Sequence, residues 1–345
     1  MKNKNSLVSL KYYEFDCTFE SKNQTMHKIG VFGAGHLGKT HLKIADASKK
    51  LDLVGFYDPN PEAVNKVISD KYTFFESPEA LINAVDIVDI VTPTLSHYDV
   101  AQKAIRANKH VFIEKPLSKT VEEAQKLVAM ADAQGVLGQV GHVERFNPAY
   151  QAVLPSLTDP MFIETHRLSE FNPRGTDVSV VLDLMIHDID IVLSVIKSPI
   201  KNIHASGVSV ISETPDISNA RIEFENGCVA NFTASRISLK KMRKSRFFQK
   251  NAYIALDFLT KQVEIVKMKD VSPDTNEDLA LLLTNAEGDK KQIYFENPAI
   301  EKINPIQEEL EHFSDCIKNN KTPRVSLKDG ARALEVAYQI IDKMG

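Results

Sequence analysis

The stretch Lys28-Ile-Gly-Val-Phe32-Gly33-Ala34-Gly35-His36-Leu37-Gly38 decides the fold. A short β-rich run ends on a glycine loop, and the residues beyond Gly38 have helical character. Strand, glycine turn and helix start in that order make a cradle for a pyrophosphate. Gly33 makes the tight turn, Gly35 lets the backbone approach phosphate, and Gly38 lets helix and strand pack closely. His36 and Leu37 lie inside the loop, where unpaired N–H groups of the helix N-terminus face an anion. Asp58 stands at the end of the next strand, where a carboxylate accepts from both ribose hydroxyls and repels a 2′-phosphate. No Lys or Arg follows in Asp58-Pro59-Asn60-Pro61, so NAD is expected over NADP.

Outward from this loop, short β-rich runs alternate with helical stretches. Strands are expected at 28–32, 52–57, 72–75, 87–91, 110–113 and 136–140, and helices at 36–48, 61–69, 78–83, 96–107 and 121–134. Such alternation implies a parallel, doubly wound sheet covered on both faces. Residues 1–25 have no clear period and are read as an extension, with Met26 directly ahead of the first strand. Ligands of such sheets sit beyond the carboxyl ends of the strands. Thr92-Pro93 and Glu114-Lys115-Pro116 both fall there. A lysine at a strand tip, followed by proline, is poorly placed for solubility alone and is expected in the site. His97, at a helix start, reads as structural or cofactor-adjacent.

After residue 148 the alternation stops. Mostly antiparallel strands are expected at 161–168, 201–210, 217–224, 228–235, 246–258, 262–267, 279–283 and 292–295. Glu225-Asn226-Gly227 is a hairpin signal. Helices follow from Pro305 and over 327–344. The reading is therefore a Rossmann domain over 26–145 and an α+β domain with a large, open, mostly antiparallel sheet over 146–345, its last helices able to pack back on the first domain.

The segment 176–196 is expected to be a helix, with Asp177 as a plausible cap. At about 100° per residue, Asp183, His187, Asp190 and Ser194 share a narrow arc set among apolar residues. A polar stripe on an otherwise apolar helix should line a cleft, and buried carboxylates and imidazoles need partners. Asp188 falls off the stripe and reads as structural. His187 suits a general base at neutral pH. Asp183, one turn earlier, can orient the imidazole or contact a substrate hydroxyl. Lys115 can share the proton network or stabilise alkoxide charge. Hydride would pass to the nicotinamide as His187 removes the hydroxyl proton.

The composition narrows the remaining classes. Hydrophobic residues are 43% and charged residues 26%, which excludes global disorder, and a formal charge of −4 offers no footprint for nucleic acid. Cys17, Cys228 and Cys316 lie far apart, which argues against a disulfide scaffold or zinc ribbon and for a reducing cytoplasm. No metal is expected. The most apolar stretch, 178–196, carries Asp183, His187, Asp188 and Asp190, so no membrane span is expected. The basic run Lys240, Lys241, Arg243, Lys244 and Arg246 could touch a phosphorylated substrate or a neighbouring subunit, but as a charge run between strands it reads first as a solvated loop.

Gly33-x-Gly35-x-x-Gly38, Glu114-Lys115-Pro116 and Asp183-x-x-x-His187-x-x-Asp190, in that order, resemble the glucose–fructose oxidoreductase / inositol dehydrogenase (Gfo/Idh/MocA) family. The resemblance runs from Met26 onward. It implies Lys115 and His187 as the catalytic pair, Asp183 beside them in the sugar site, and a nicotinamide pocket shaped around Lys115-Pro116. It further implies a homodimer or homotetramer built on the second sheet. Gly141-His-Val-Glu-Arg145-Phe-Asn147-Pro148 and Arg174-Gly-Thr-Asp177 are similar to the branch containing UDP-N-acetylglucosamine 3-dehydrogenases. That implies an NAD-dependent oxidation of a ring hydroxyl of a nucleotide amino sugar, with Arg145, Asn147, Arg167 and Arg174 as substrate contacts. Met185 stands where many family members carry glycine, which leaves less room beside the base for free sugars. Competing expectations are a free-sugar, inositol or small-carbonyl oxidoreductase, an NAD-dependent glycosidase, and a non-catalytic NAD sensor.

Overall fold

The computed structural model describes residues 26–67, 71–172, 178–272 and 281–344. The glycine loop joins β1 (His27–Phe32) to α1 (His36–Ala47), and β2 (Leu51–Tyr57) pairs parallel to β1. β3 (Ile87–Ile90) lies on the other side of β1, followed outward by β4 (His110–Glu114) and β5 (Gly138–Gly141). All four pairings are parallel. Strand order therefore reverses between β1 and β3, which opens the ligand crevice of a doubly wound sheet at the glycine loop. The helices between are α2 (Pro61–Asn65), α3 (Pro78–Ala84), α4 (His97–Arg106) and α5 (Val121–Gln134). α5 starts at a reciprocal cap between Thr120 and Glu123 and ends where Gly135 turns left-handed.

One expected strand is absent. Residues 72–75 make a single bridge, Phe74 to Phe56, and the helix start at Ser77-Pro78 leaves no length for more pairs, so the sheet has five strands.

After α6 (Pro148–Val153) comes the second sheet, of nine strands. These are β6 (Phe162–Leu168), β7 (Ile200–Val208), β8 (Ile217–Phe224), β9 (Val229–Ser235), β10 (Met242–Gln249), β11 (Ala252–Asp257), β12 (Gln262–Val271), β13 (Leu281–Thr284) and β14 (Lys290–Glu296). The order is β13-β14-β12-β11-β10-β6-β9-β8-β7, antiparallel except for β6 beside β9. The single strand expected over 246–258 is two, because Lys250-Asn251 turns tightly and Gln249 pairs Ala252. The apolar alternation runs on through the turn and hides it. The basic run is only partly a loop: Lys240 and Lys241 are exposed ahead of β10, which carries Arg243, Lys244 and Arg246, the last two paired to Asp257 and Glu164 of neighbouring strands.

A π-helical turn (Val181–Met185) runs into α7 (Ile186–Val195), which is buried almost all round. The cap expected at Asp177 lies outside the described residues. α8 (Pro305–Asn319) and α9 (Leu327–Lys343) return to the first sheet. Val140 N–H donates to Val325 O at 3.0 Å, and the Gln139 amide donates to Glu309 O at 2.8 Å.

Candidate active site

The glycine loop is shaped by close approach. A methyl group at Gly38 would meet Gly33 O at 1.9 Å, and Gly33 has φ +105° with Val91 O where its side chain would be. At Gly35 a methyl group meets nothing within 4 Å. The space above Gly35 is open, while the turns on either side admit only glycine. α1 has no side-chain cap and no acidic residue in its first turn, so its N–H groups and dipole are left for an anion at His36, Leu37 and Gly38. Asp58 fixes this loop: one carboxylate oxygen accepts from Ala34 N–H at 2.7 Å and the other from Asn60 N–H at 2.8 Å. Thr92, after β3, holds a buried hydroxyl without a partner. An open cradle, an acid at the second strand end and an orphaned hydroxyl at the third fit a dinucleotide. His97 is buried, its two ring nitrogens on Pro116 O and Thr92 O, both at 2.9 Å. It ties the tips of β3 and β4 together.

Lys115 leaves the tip of β4 and crosses to the π-helical turn. Its ammonium donates to Asp183 O at 2.8 Å and Asp183 Oδ1 at 3.3 Å. The lysine side chain is 19% exposed and the aspartate 50%, so the pair that joins the tip of the first sheet to the π-helical turn is open to solvent. His187, one turn along, has a buried Nδ1 without a partner. Burial, then the charges of Lys115, Arg167, His142 and Arg243, hold its pKa well below the usual imidazole range. The ring is neutral at physiological pH and free to accept a proton.

The stripe divides below His187. Asp190 is buried, with Arg145 Nη1 3.8 Å away, and Ser194 shares a 2.5 Å hydrogen bond with Tyr150. At 1.5 Å rise per residue Ser194 lies about 10 Å along the helix from His187, too far to share its ligand. Asp188 is structural, as its angle implies: Arg167 grips it at 2.9 and 3.1 Å and Glu144 at 3.0 Å.

The expected substrate contacts are therefore mostly spent. Arg167 is enclosed by two carboxylates. Arg145 donates to Arg324 O at 2.7 Å, and Asn147 caps α6 while donating to Glu144 and Phe258 O. Arg174 lies outside the described residues. Two residues not singled out for the site stand at it. His142 is buried edge-on to His187, ring centroids 6.3 Å apart, with both nitrogens unpartnered. Arg243, opposite Arg167 on β10, is 49% exposed, and its ion pair among the described residues is with the already engaged Glu144, at 3.5 Å. His142 falls in the Gly141–Pro148 segment that carries the resemblance, and Arg243 in the basic run, but neither segment says which of its residues reaches the site. Among the described residues no group of three His, Cys, Asp or Glu could hold a metal ion.

Comparison with known proteins settles the family. Residues 27–142 match the model for the oxidoreductase family with NAD-binding Rossmann fold, GFO_IDH_MocA, and residues 122–249 match the GFO/IDH/MocA C-terminal domain. The chain belongs to the Gfo/Idh/MocA oxidoreductase family. It is 36% identical over 240 residues to UDP-N-acetylglucosamine 3-dehydrogenase of Acidithiobacillus ferrooxidans, covering 69% of this chain and 76% of that one. The solved structure of that enzyme superposes with a TM-score of 0.82 at 31% identity, over 92% of this chain and 97% of its own. The scyllo-inositol 2-dehydrogenase (NAD(+)) of Bacillus subtilis is 27% identical over 90% of this chain and 91% of its own. The protein is thus an NAD-binding oxidoreductase acting on CH–OH groups, with a parallel five-stranded sheet and a nine-stranded, mostly antiparallel one. Among the described residues no helix is long and apolar enough to cross a membrane.

Proposed function

We propose that this oxidoreductase converts a ring hydroxyl of a nucleotide amino sugar to a ketone, at the 3-position of UDP-N-acetylglucosamine. The observation that carries the reading is the neutral His187 beside the Lys115–Asp183 pair; the likeness to the Acidithiobacillus enzyme supplies the substrate. The backbone of Gly33, Gly35, His36, Leu37 and Gly38 holds the pyrophosphate, Asp58 the adenosine ribose, and Thr92, Pro93, His97 and Glu114 shape the far end of the cofactor site. When bound, NAD supplies the hydride acceptor. His187 takes the hydroxyl proton on an imidazole nitrogen. Lys115 steadies the oxygen as charge develops, and Asp183 holds the ammonium and a neighbouring hydroxyl. Arg243 takes the substrate-anion role expected of Arg167. The division at residue 145, a cytoplasmic setting and a homodimer or homotetramer belong to the same reading. The aromatic group Phe162, Phe248 and Tyr253 on the outer face of the nine-stranded sheet favours that face as the subunit contact.

The test is NADH formation from NAD and UDP-N-acetylglucosamine by the wild type and by His187→Ala. The variant is expected to lose turnover by about 10²–10⁴-fold, the usual share of a general base, with NAD affinity unchanged. Normal turnover by the variant overturns the mechanism. The inositol dehydrogenase relatives favour a second reading, a cyclitol or free-sugar dehydrogenase. Faster NADH formation with inositols or free sugars than with the nucleotide sugar would select it.

A further inference from the structure

Behind the strand tips, on the face of the five-stranded sheet covered by α1 and α8, lies a set of buried polar residues of which only Glu114 has a place in the site above. His41 of α1 and Glu309 of α8 are both 0% exposed. The His41 ring stands between two carboxylates: Nδ1 is 2.9 Å from Asp89 Oδ2 on β3, and Nε2 is 3.5 Å from Glu114 Oε1 at the tip of β4. The other Glu114 oxygen accepts the Lys115 N–H at 3.2 Å. Gly141 of β5 leaves room for this carboxylate, since a methyl group there would come within 2.6 Å of Glu114 Oε1. The Asp89–His41 hydrogen bond and the Glu114–Lys115 backbone hydrogen bond are linked by the 3.5 Å ion-pair contact of His41 with Glu114, in which Nε2 makes no hydrogen bond, and together they connect the middle of the sheet to the root of the catalytic lysine.

We propose that His41 is a positioning residue for the Lys115 end of the site: held between Asp89 and Glu114, it fixes the carboxylate that receives the Lys115 amide, and so the point from which the lysine reaches Asp183. A neutral imidazole donates from only one nitrogen and leaves one carboxylate unsatisfied, whereas an imidazolium donates from both. The surroundings favour the cation. Burial alone would lower the His41 pKa, but Asp89 and Glu114 outweigh it and hold the pKa well above the usual range. The groups facing the ring are Asp89 from β3, Glu114 from β4 and Glu309 from α8. Burial and the Glu114 charge raise the Glu309 carboxyl well above the usual carboxylate range, so it stays protonated. Burial raises the Asp89 carboxyl as well, against the pull of the His41 charge, so the Asp89 carboxylate and the imidazolium sustain each other.

Two measurements on the whole chain test this, and neither needs turnover or the identity of the substrate. In protein with isotope-labelled histidine, the His41 ring signals are assigned by their loss in His41→Gln. Both ring nitrogens are expected to be protonated at neutral and mildly alkaline pH, and a neutral ring at neutral pH overturns the proposal. In protein with labelled lysine side chains, Lys115 is assigned by its loss in Lys115→Ala. His41→Gln and Glu114→Gln are each expected to move the Lys115 signal while leaving that of Lys50. The Lys50–Asp315 pair, at 2.8 Å, joins the turn between α1 and β2 to α8, away from the strand tips. An unmoved Lys115, or an equal displacement of Lys50, reduces the cluster to packing between α1 and α8 and overturns the role. Should His41→Gln fail to fold, Glu114→Gln, whose side chain reaches the surface, carries the second measurement alone.

Discussion

Arg167 and Arg243 sit opposite each other on adjacent strands, yet they belong to different parts of the chemistry. Arg167 is fully enclosed, so Arg167→Ala leaves Asp188 without its buried counter-charge and Glu144 with only the 3.5 Å contact to Arg243, and should cost about 3–5 kcal/mol of stability. Denaturant unfolding reads this directly. Arg243 faces the crevice with half its side chain in water, so Arg243→Ala is expected to leave the melting temperature in place. It should raise KM for the nucleotide sugar about tenfold or more while NAD affinity stays constant, as steady-state kinetics and cofactor titration would show. An unchanged KM would remove Arg243 from the substrate. Charge and motif brought both arginines to notice, but not which one is occupied. That depends on Glu144 and Asp188, which reach Arg167 only through the fold. Lys115 and His187 were legible because a strand tip and a helical period are local properties.

The glycine loop and the π-helical turn show what a single element contributes. Gly38→Ala forces a contact of 1.9 Å with backbone and should lower both stability and NAD affinity. Gly35→Ala meets nothing in the protein, so its melting curve is expected to match the wild type while NAD affinity falls at least tenfold. Parallel thermal melts and NAD titrations separate the two, and equal NAD affinity in Gly35→Ala would mean that no ligand occupies the space above the loop. The alternation of strands and helices was readable because each run is set by neighbouring residues. The stripe on α7 was readable in direction but not in depth, since periodicity gives an angle and not how far down a crevice reaches. The π-helical turn left no mark on composition, though it presents the Asp183 carbonyl to Lys115.

Across the whole molecule, the buried titratable groups set a pH dependence of stability. His97, His110, His142, His187 and His312 all have lowered pKa values, chiefly from burial, with His312 at about 4. Once unfolded they bind protons near 6.5, so stability falls as pH drops below that value. His41 and Glu309, with the buried carboxyls of Asp89, Asp188 and Asp190, act with the opposite sign. Their folded pKa values are raised, so their contribution is full below the unfolded values and is lost as pH rises through the folded ones. The melting temperature is expected to peak close to neutrality, and a maximum near pH 5 would show that the histidines are not buried neutral.

The returning helices carry a consequence for synthesis on the ribosome. The face of the five-stranded sheet that holds Phe112 is covered by Phe313 of α8, and β5 is bridged by the backbone at Val325. Strands translated first thus wait for cover that is translated some two hundred residues later. Nascent chains arrested before Pro305 should be cut readily by protease at their leading domain, and chains arrested after Lys343 has cleared the exit tunnel should resist.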